Sequence, residues 1–211
     1  MKQILVYGDS LTWGIVPGTR RRLPFSQRWP GVLEADLLRG GHSVRVIEDA
    51  LNGRRTVWDD PFKPGRNGIV GLEQRIEVNS PLDLVIVMLG TNDFQSTHQN
   101  TAAHSAQGMA ALVRAIRRAP IEPDMAVPPI LIVSPPQCDT PAGTMVDKFA
   151  GARERSSGLA TAYRAIADEL DCGFFDASQV IAVSKVDGVH LDADQHDVLG
   201  HRLLDAVRAY L

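Results

Sequence analysis

Apolar residues along this chain follow two rhythms. Short β-rich runs occur at Ile4 to Tyr7, Val44 to Glu48, Leu82 to Leu89, Ile130 to Ser134 and Gly173 to Phe175, and the stretches between them carry a helical period. From Leu84 to Leu89 the third run is continuously apolar, which predicts a central parallel strand covered on both faces. Trp29 to Leu38 places Val32, Leu33 and Leu37 on one stripe and stops at Gly40-Gly41, a helix-ending signal. Ala102 to Ala119 sets Met109, Leu112, Val113 and Ile116 against Arg114, Arg117 and Arg118, and Pro120 ends it. Leu159, Tyr163, Ile166, Ala167 and Leu170 form a further stripe, and Val198, Leu199, Leu203, Val207 and Leu211 the last.

Strand and helix therefore alternate five times. That pattern predicts an α/β fold: a three-layer α/β/α sandwich on a five-stranded parallel sheet, flavodoxin-like, with strand order 2-1-3-4-5. Long connections at 14 to 28, 53 to 68 and 134 to 150 each follow the carboxyl end of a strand, where ligand sites in such sheets lie, so these loops are expected to shape a pocket. With 211 residues, 44% of them hydrophobic, the chain is long enough for one buried core, and a single domain over 1–211 is expected.

Charge narrows the partners. Lys and Arg number 22 against 25 Asp and Glu, a net charge of −3, and the one basic cluster, Arg20-Arg21-Arg22, is short. Nucleic acid and anionic membrane are thereby disfavoured as main partners. The first strand begins at Gln3 and no run of 18 apolar residues occurs, so a soluble, cytoplasmic protein is expected. Cys138 and Cys172 lack metal or CxxC spacing and read as reduced thiols.

Polar residues crowd directly after four strands: Gly8-Asp9-Ser10, Asn52-Gly53, Gly90-Thr91-Asn92-Asp93 and Asp187-Gly188-Val189-His190. In a doubly wound sheet all four converge on one edge. A serine hydroxyl is a poor nucleophile without a neighbouring base, and histidine is the natural one. Among six histidines, His190 has Asp187 three residues upstream, placed to accept from Nδ1 and leave Nε2 free for Ser10. His196 and His201, with Asp192 and Asp197 at i, i+4 spacing, look like surface helix pairs. Ester hydrolysis also needs donors for the developing oxyanion; the Ser10 N–H, the Gly53 N–H and the Asn92 amide are the candidates. Asp9 is expected to hold its turn through backbone amides, with a contact to the rim network as the open alternative. Asp93 reads as an Asx turn ending the strand. Trp13, Leu11 and Asn52 are candidate substrate contacts, and Trp58, Phe149 and Phe174 are weaker ones. A zinc site from His190, Asp192 and His196 has no HExxH or Cys/His cluster behind it.

These four ordered blocks resemble those of the SGNH or GDSL hydrolases. The stretches Gly8-Asp9-Ser10-Leu11-Thr12-Trp13-Gly14, Val87 to Asp93, Val133-Ser134-Pro135-Pro136 and Val186 to His190 are similar to the mycobacterial-type arylesterase and perhydrolase branch. The resemblance implies a Ser10, Asp187, His190 triad and oxyanion donors on Ser10, Gly53 and Asn92. It also implies no metal or cofactor, and small-molecule substrates in the form of short acyl and aryl esters. Acyl transfer to alcohols or hydrogen peroxide is part of it, as is a homo-oligomer whose neighbours wall the pocket. Ile15 stands where that branch has a second tryptophan, and Asn52-Gly53 where it has serine-alanine. A carbohydrate acetylesterase and a thioesterase or lysophospholipase of the same fold stay open. So does a flavodoxin-like binding module, although no GxGxxG or GxxxxGKS cradle follows the first strand.

Overall fold

The computed structural model describes residues 1–211. In chain order, β1 (Lys2–Gly8) leads into a one-turn helix α1 (Ser10–Trp13), then α2 (Trp29–Arg39), β2 (Val44–Ala50), α3 (Leu72–Asn79) and β3 (Leu84–Met88). After these come α4 (Ala102–Arg118), β4 (Ile130–Ser134), the short α5 (Ala152–Arg155), α6 (Leu159–Glu169), β5 (Gly173–Asp176) and α7 (Ala193–Arg208). All five strands are parallel, in the order β2-β1-β3-β4-β5.

The inner strands β3 and β4 are buried along their whole length, and β1 from Ile4 onward, while β2 and β5 at the edges are half-exposed. Alternation of side chains across the pleat splits the core into two layers. Leu5, Tyr7, Val85 and Val87 face α3, α4 and α6; Ile4, Val6, Ile86 and Met88 face α2 and α7. Each fully buried aliphatic side chain contributes roughly 1.5–3 kcal/mol relative to exposure, which makes the inner strands the rigid part of the scaffold.

The helix α3 was not expected from the periodicity. Of its eight residues only Leu72 and Ile76 are buried, and Val78 is exposed, so no full apolar stripe marks it. Both cysteines are free, as their spacing predicts. No helix is long and apolar enough to cross a membrane.

The connection from β1 crosses to β2 on one side, and the next crosses back to β3 on the other. The carboxyl ends of β1 and β3 thus flank the switch point, where an open α/β sheet leaves a crevice.

Candidate active site

Ser10 sits at the first turn of α1, directly beyond the end of β1. Asp9 caps that turn: its Oδ1 accepts the Leu11 N–H at 2.9 Å, and its Oδ2 accepts from Asn92 Nδ2 at 2.9 Å. The same carboxylate therefore holds the turn, as expected of Asp9, and also ties it to the segment after β3, the contact left open. Burial pushes the Asp9 carboxyl up to about 7, against the pull of these hydrogen bonds.

His190 is fixed by Asp187 through two bonds. Asp187 Oδ2 lies 2.8 Å from Nδ1, and Oδ1 accepts the backbone N–H groups of Val189 at 3.0 Å and His190 at 2.9 Å. Gly18 adds a fourth donor, its N–H reaching Oδ2 at 3.2 Å from the loop after α1. Burial alone would raise the Asp187 carboxyl. The bonds from the His190 side chain and backbone outweigh it and hold the group well below the ordinary carboxylate range. The turn is docked on 139–142, with the backbone N–H of Asp139 donating to the Gly188 carbonyl at 2.9 Å and that of Ala142 to the Asp187 carbonyl at 3.1 Å. A side chain at Gly188 would place its Cβ 2.3 Å from the Thr140 carbonyl oxygen, at a φ of +74°.

Ser10, Asn52, Gly53, Asn92, Asp187 and His190 share one cavity of about 160 Å³. For scale, an apolar cavity of about 150 Å³ holds benzene. The three long loops complete the wall: Ile15, Gly18, Thr19 and Arg20 from the first, Asp60 and Lys63 from the second, Thr144, Met145, Lys148 and Phe149 from the third. Only three of the sixteen lining residues are hydrophobic.

The three candidate oxyanion donors differ in their hydrogen bonding. Neither the Ser10 nor the Gly53 backbone N–H makes a hydrogen bond within the protein, and Gly53 reaches its position at a φ of +84°. Asn92 has both N–H bonds engaged, to Asp9 Oδ2 and, more loosely, to the Arg54 carbonyl at 3.2 Å, while its Oδ1 accepts from Gln95 at 2.7 Å.

Two of the expected substrate contacts lie elsewhere. Leu11 is 1% exposed in the layer under α2 and α7 and does not reach the cavity. Trp13 is also off the wall, with the Arg22 guanidinium 4.6 Å above its ring. Trp58 packs at a tilt against His98, and Phe174 lies under Arg164; Phe149 does line the cavity.

Asp93 is not a simple Asx turn. Fully buried, it accepts from the Thr56 N–H (2.9 Å) and hydroxyl (2.7 Å) and from Ser105 (2.7 Å), and burial pushes it up to about 6 against those bonds. Ser105 in turn meets the Tyr163 hydroxyl at 2.8 Å. Arg54 and Arg55, which belong to no motif, anchor the loop that presents Gly53. Arg54 bonds the Gly8 carbonyl and pairs with Asp49 at 2.7 Å; Arg55, with no exposed surface, bonds Gln95 at 2.8 Å and Thr97 at 3.0 Å. Two arginines immediately after a turn glycine were the available signal.

His196 is likewise no surface pair. It is buried between α2 and α7, where Nδ1 accepts the Trp29 N–H at 3.3 Å, and burial pushes it down to about 4. Its expected partner, Asp192, instead accepts from Ser184 at 2.9 Å. His201 does approach Asp197, at 3.4 Å, but lies nearer Asp36, at 2.5 Å. No group of three or more His, Cys, Asp or Glu side chains converges as a metal site would.

Residues 6–200 match the model of the GDSL-like Lipase/Acylhydrolase family. The chain belongs to that family. As a GDSL-like acylhydrolase it takes its place among enzymes that hydrolyse acyl esters, on the sheet topology described above. Its fold is similar over the whole chain to a carbohydrate acetylesterase family member from Sinorhizobium meliloti, at 41% identity and a TM-score of 0.94, covering 99% of that chain. The M. smegmatis aryl esterase is similar at 37% identity and a TM-score of 0.93, with both chains covered in full. A second carbohydrate acetylesterase from Sinorhizobium meliloti matches at 36% and 0.93, again with full coverage of both. Curated protein sequences give no match.

Proposed function

We propose that this GDSL-like acylhydrolase is a serine esterase acting on short acyl and aryl esters through a covalent acyl-enzyme. One observation carries the reading: the Asp187–His190 pair, fixed through side chain and backbone, shares a small cavity with Ser10 and with two unbonded backbone N–H groups. In this mechanism Ser10 Oγ attacks the ester carbonyl while His190 Nε2 takes its proton. The imidazolium, stabilised by ionised Asp187, returns that proton to the leaving alcohol, and water then releases the acyl group by the same steps. Ser10 and Gly53 N–H groups receive the oxyanion. Asn92 joins them by giving up its longer bond to the Arg54 carbonyl.

An acyl-enzyme is open to other acceptors, so the reading includes transfer to alcohols and to hydrogen peroxide. It also includes a cytoplasmic homo-oligomer whose neighbours extend the pocket wall. Phe62 stands 82% exposed on the second loop and Val146 on the third, both beside lining residues. A strict monomer on size-exclusion chromatography at micromolar concentration would remove that part.

Initial rates on p-nitrophenyl acetate and octanoate, for the wild type and Ser10→Ala, test the core of the proposal. Rapid acetate turnover that disappears in the variant, with little on octanoate, is the expected result. Turnover that survives Ser10→Ala would refute the mechanism. The polar wall favours a second reading within the same chemistry, deacetylation of a polar alcohol such as a sugar, which acetylated glucosides would reveal.

A further inference from the structure

The cavity's charge is unbalanced in a way the reaction does not require. Each of the three long loops contributes one cation to the lining: Arg20, Lys63 and Lys148. None of the three has a carboxylate within ion-pairing distance, and none of their side chains makes a hydrogen bond. The two lining carboxylates are already engaged. Asp187 carries His190, and Asp60 lies 3.4 Å from Arg55 while accepting the backbone N–H groups of Phe62 and Lys63.

This is a chain of net charge −3, so three unpaired cations at one opening do not follow from composition. All three side chains are exposed, whereas Ser10, Asn92, Asp187 and His190 are buried; the cations ring the mouth and the reacting groups form the floor. They also act on one another. Desolvation at the mouth, then Arg66 and Arg20, hold the Lys63 ammonium below its ordinary value, and Lys148 is lowered by desolvation with Lys63, Arg55 and Arg20 contributing against Asp60. The one carboxylate acting on both lysines, Asp60, is shared with Arg55, so the three cations repel one another beyond what it offsets, and a bound anion would relieve them.

From this juxtaposition of three unpaired cations at the mouth of the Ser10 cavity, we infer that the enzyme selects esters whose leaving alcohol carries an anionic group, such as a carboxylate. The inference rests on the esterase reading above. With the acyl group on the floor against Ser10, the alcohol portion projects to the mouth, where Arg20, Lys63 and Lys148 meet its charge.

The test compares 4-acetoxybenzoate with its neutral methyl ester, methyl 4-acetoxybenzoate, on the wild type and on the triple variant Arg20→Gln, Lys63→Gln, Lys148→Gln. Taking the ratio of kcat/KM values between the two proteins cancels the intrinsic reactivities of the esters. The triple variant is expected to lose about tenfold on the anionic ester and less than about twofold on the neutral one. Raising salt from about 20 mM to about 300 mM should weaken wild-type turnover of the anionic ester selectively. An unchanged ratio that is insensitive to salt overturns the inference while leaving the esterase intact. Should neither ester be turned over, the esterase reading is what fails, and calorimetry with 4-hydroxybenzoate and neutral 4-hydroxybenzamide still decides the mouth. Anion-selective binding lost in the triple variant supports it; equal binding of the two compounds overturns it.

Discussion

Asp187 holds His190 at two points, accepting Nδ1 on one carboxylate oxygen at 2.8 Å and the backbone N–H on the other at 2.9 Å. The ring and the main chain of the histidine are thereby positioned by a single group. Asn at this position preserves shape but cannot accept from Nδ1 with the same charge and favours the wrong tautomer. Asp187→Asn is expected to lower kcat on p-nitrophenyl acetate by about 10³- to 10⁴-fold with little change in KM. A loss under tenfold would show that another group orients His190.

Gly188 lies between the two. Alanine there meets the Thr140 carbonyl and a left-handed φ together. Gly188→Ala should destabilise the fold by about 1–3 kcal/mol and displace His190, cutting turnover far beyond the loss of folded protein. Denaturation midpoints and activity per folded molecule, measured on the same samples, separate the two effects.

The proposed oxyanion donors differ in how free they are, and their substitutions should differ too. Asn92→Ala is expected to reduce kcat by about 10² to 10³. Asp9→Asn keeps the α1 cap, since an amide oxygen can accept the Leu11 N–H, but it disturbs the bond to Asn92. It should lower kcat by a smaller factor with KM nearly unchanged. Equal losses in the two variants would mean that Asp9 does more than position Asn92.

Burial of His196 is expected to make the fold acid-sensitive. Its folded value, about 4, lies below that of an unfolded histidine, so the unfolded chain binds the extra proton first as pH falls. Stability from this group is full above about pH 6.5 and is lost progressively as pH drops toward 4. In His196→Leu that loss should be absent, and the Tm difference between variant and wild type should rise between about pH 6.5 and 4.5. A difference independent of pH would contradict the buried, neutral histidine.

Much of this was legible in the residues. Continuous apolar runs marked the inner strands because both faces are covered, and Gly40-Gly41 and Pro120 marked helix ends. What stayed hidden depended on partners distant in sequence. Asp93 meets Thr56 across 37 residues and Ser105 across 12, so nothing adjacent to it announces a buried network. His196 sits beside acids along the helix and yet faces α2, because the apolar surface it joins belongs to another element. Leu11 follows Ser10, but in a helical turn successive residues point about 100° apart, so the neighbour of a cavity serine turns into the core.

The Gly18 N–H that reaches Asp187 comes from the same loop that carries Arg20 to the mouth. On the proposed mechanism, discrimination among substrates and the electrostatics of the proton relay would therefore both depend on one short stretch of chain. A lengthened or recut loop would alter what the enzyme accepts and, through one amide, how firmly its acid stays charged. Retailoring this pocket is consequently safer by exchange of side chains at residues 19 and 20 than by grafting a new loop, which would trade turnover for selectivity at the first step.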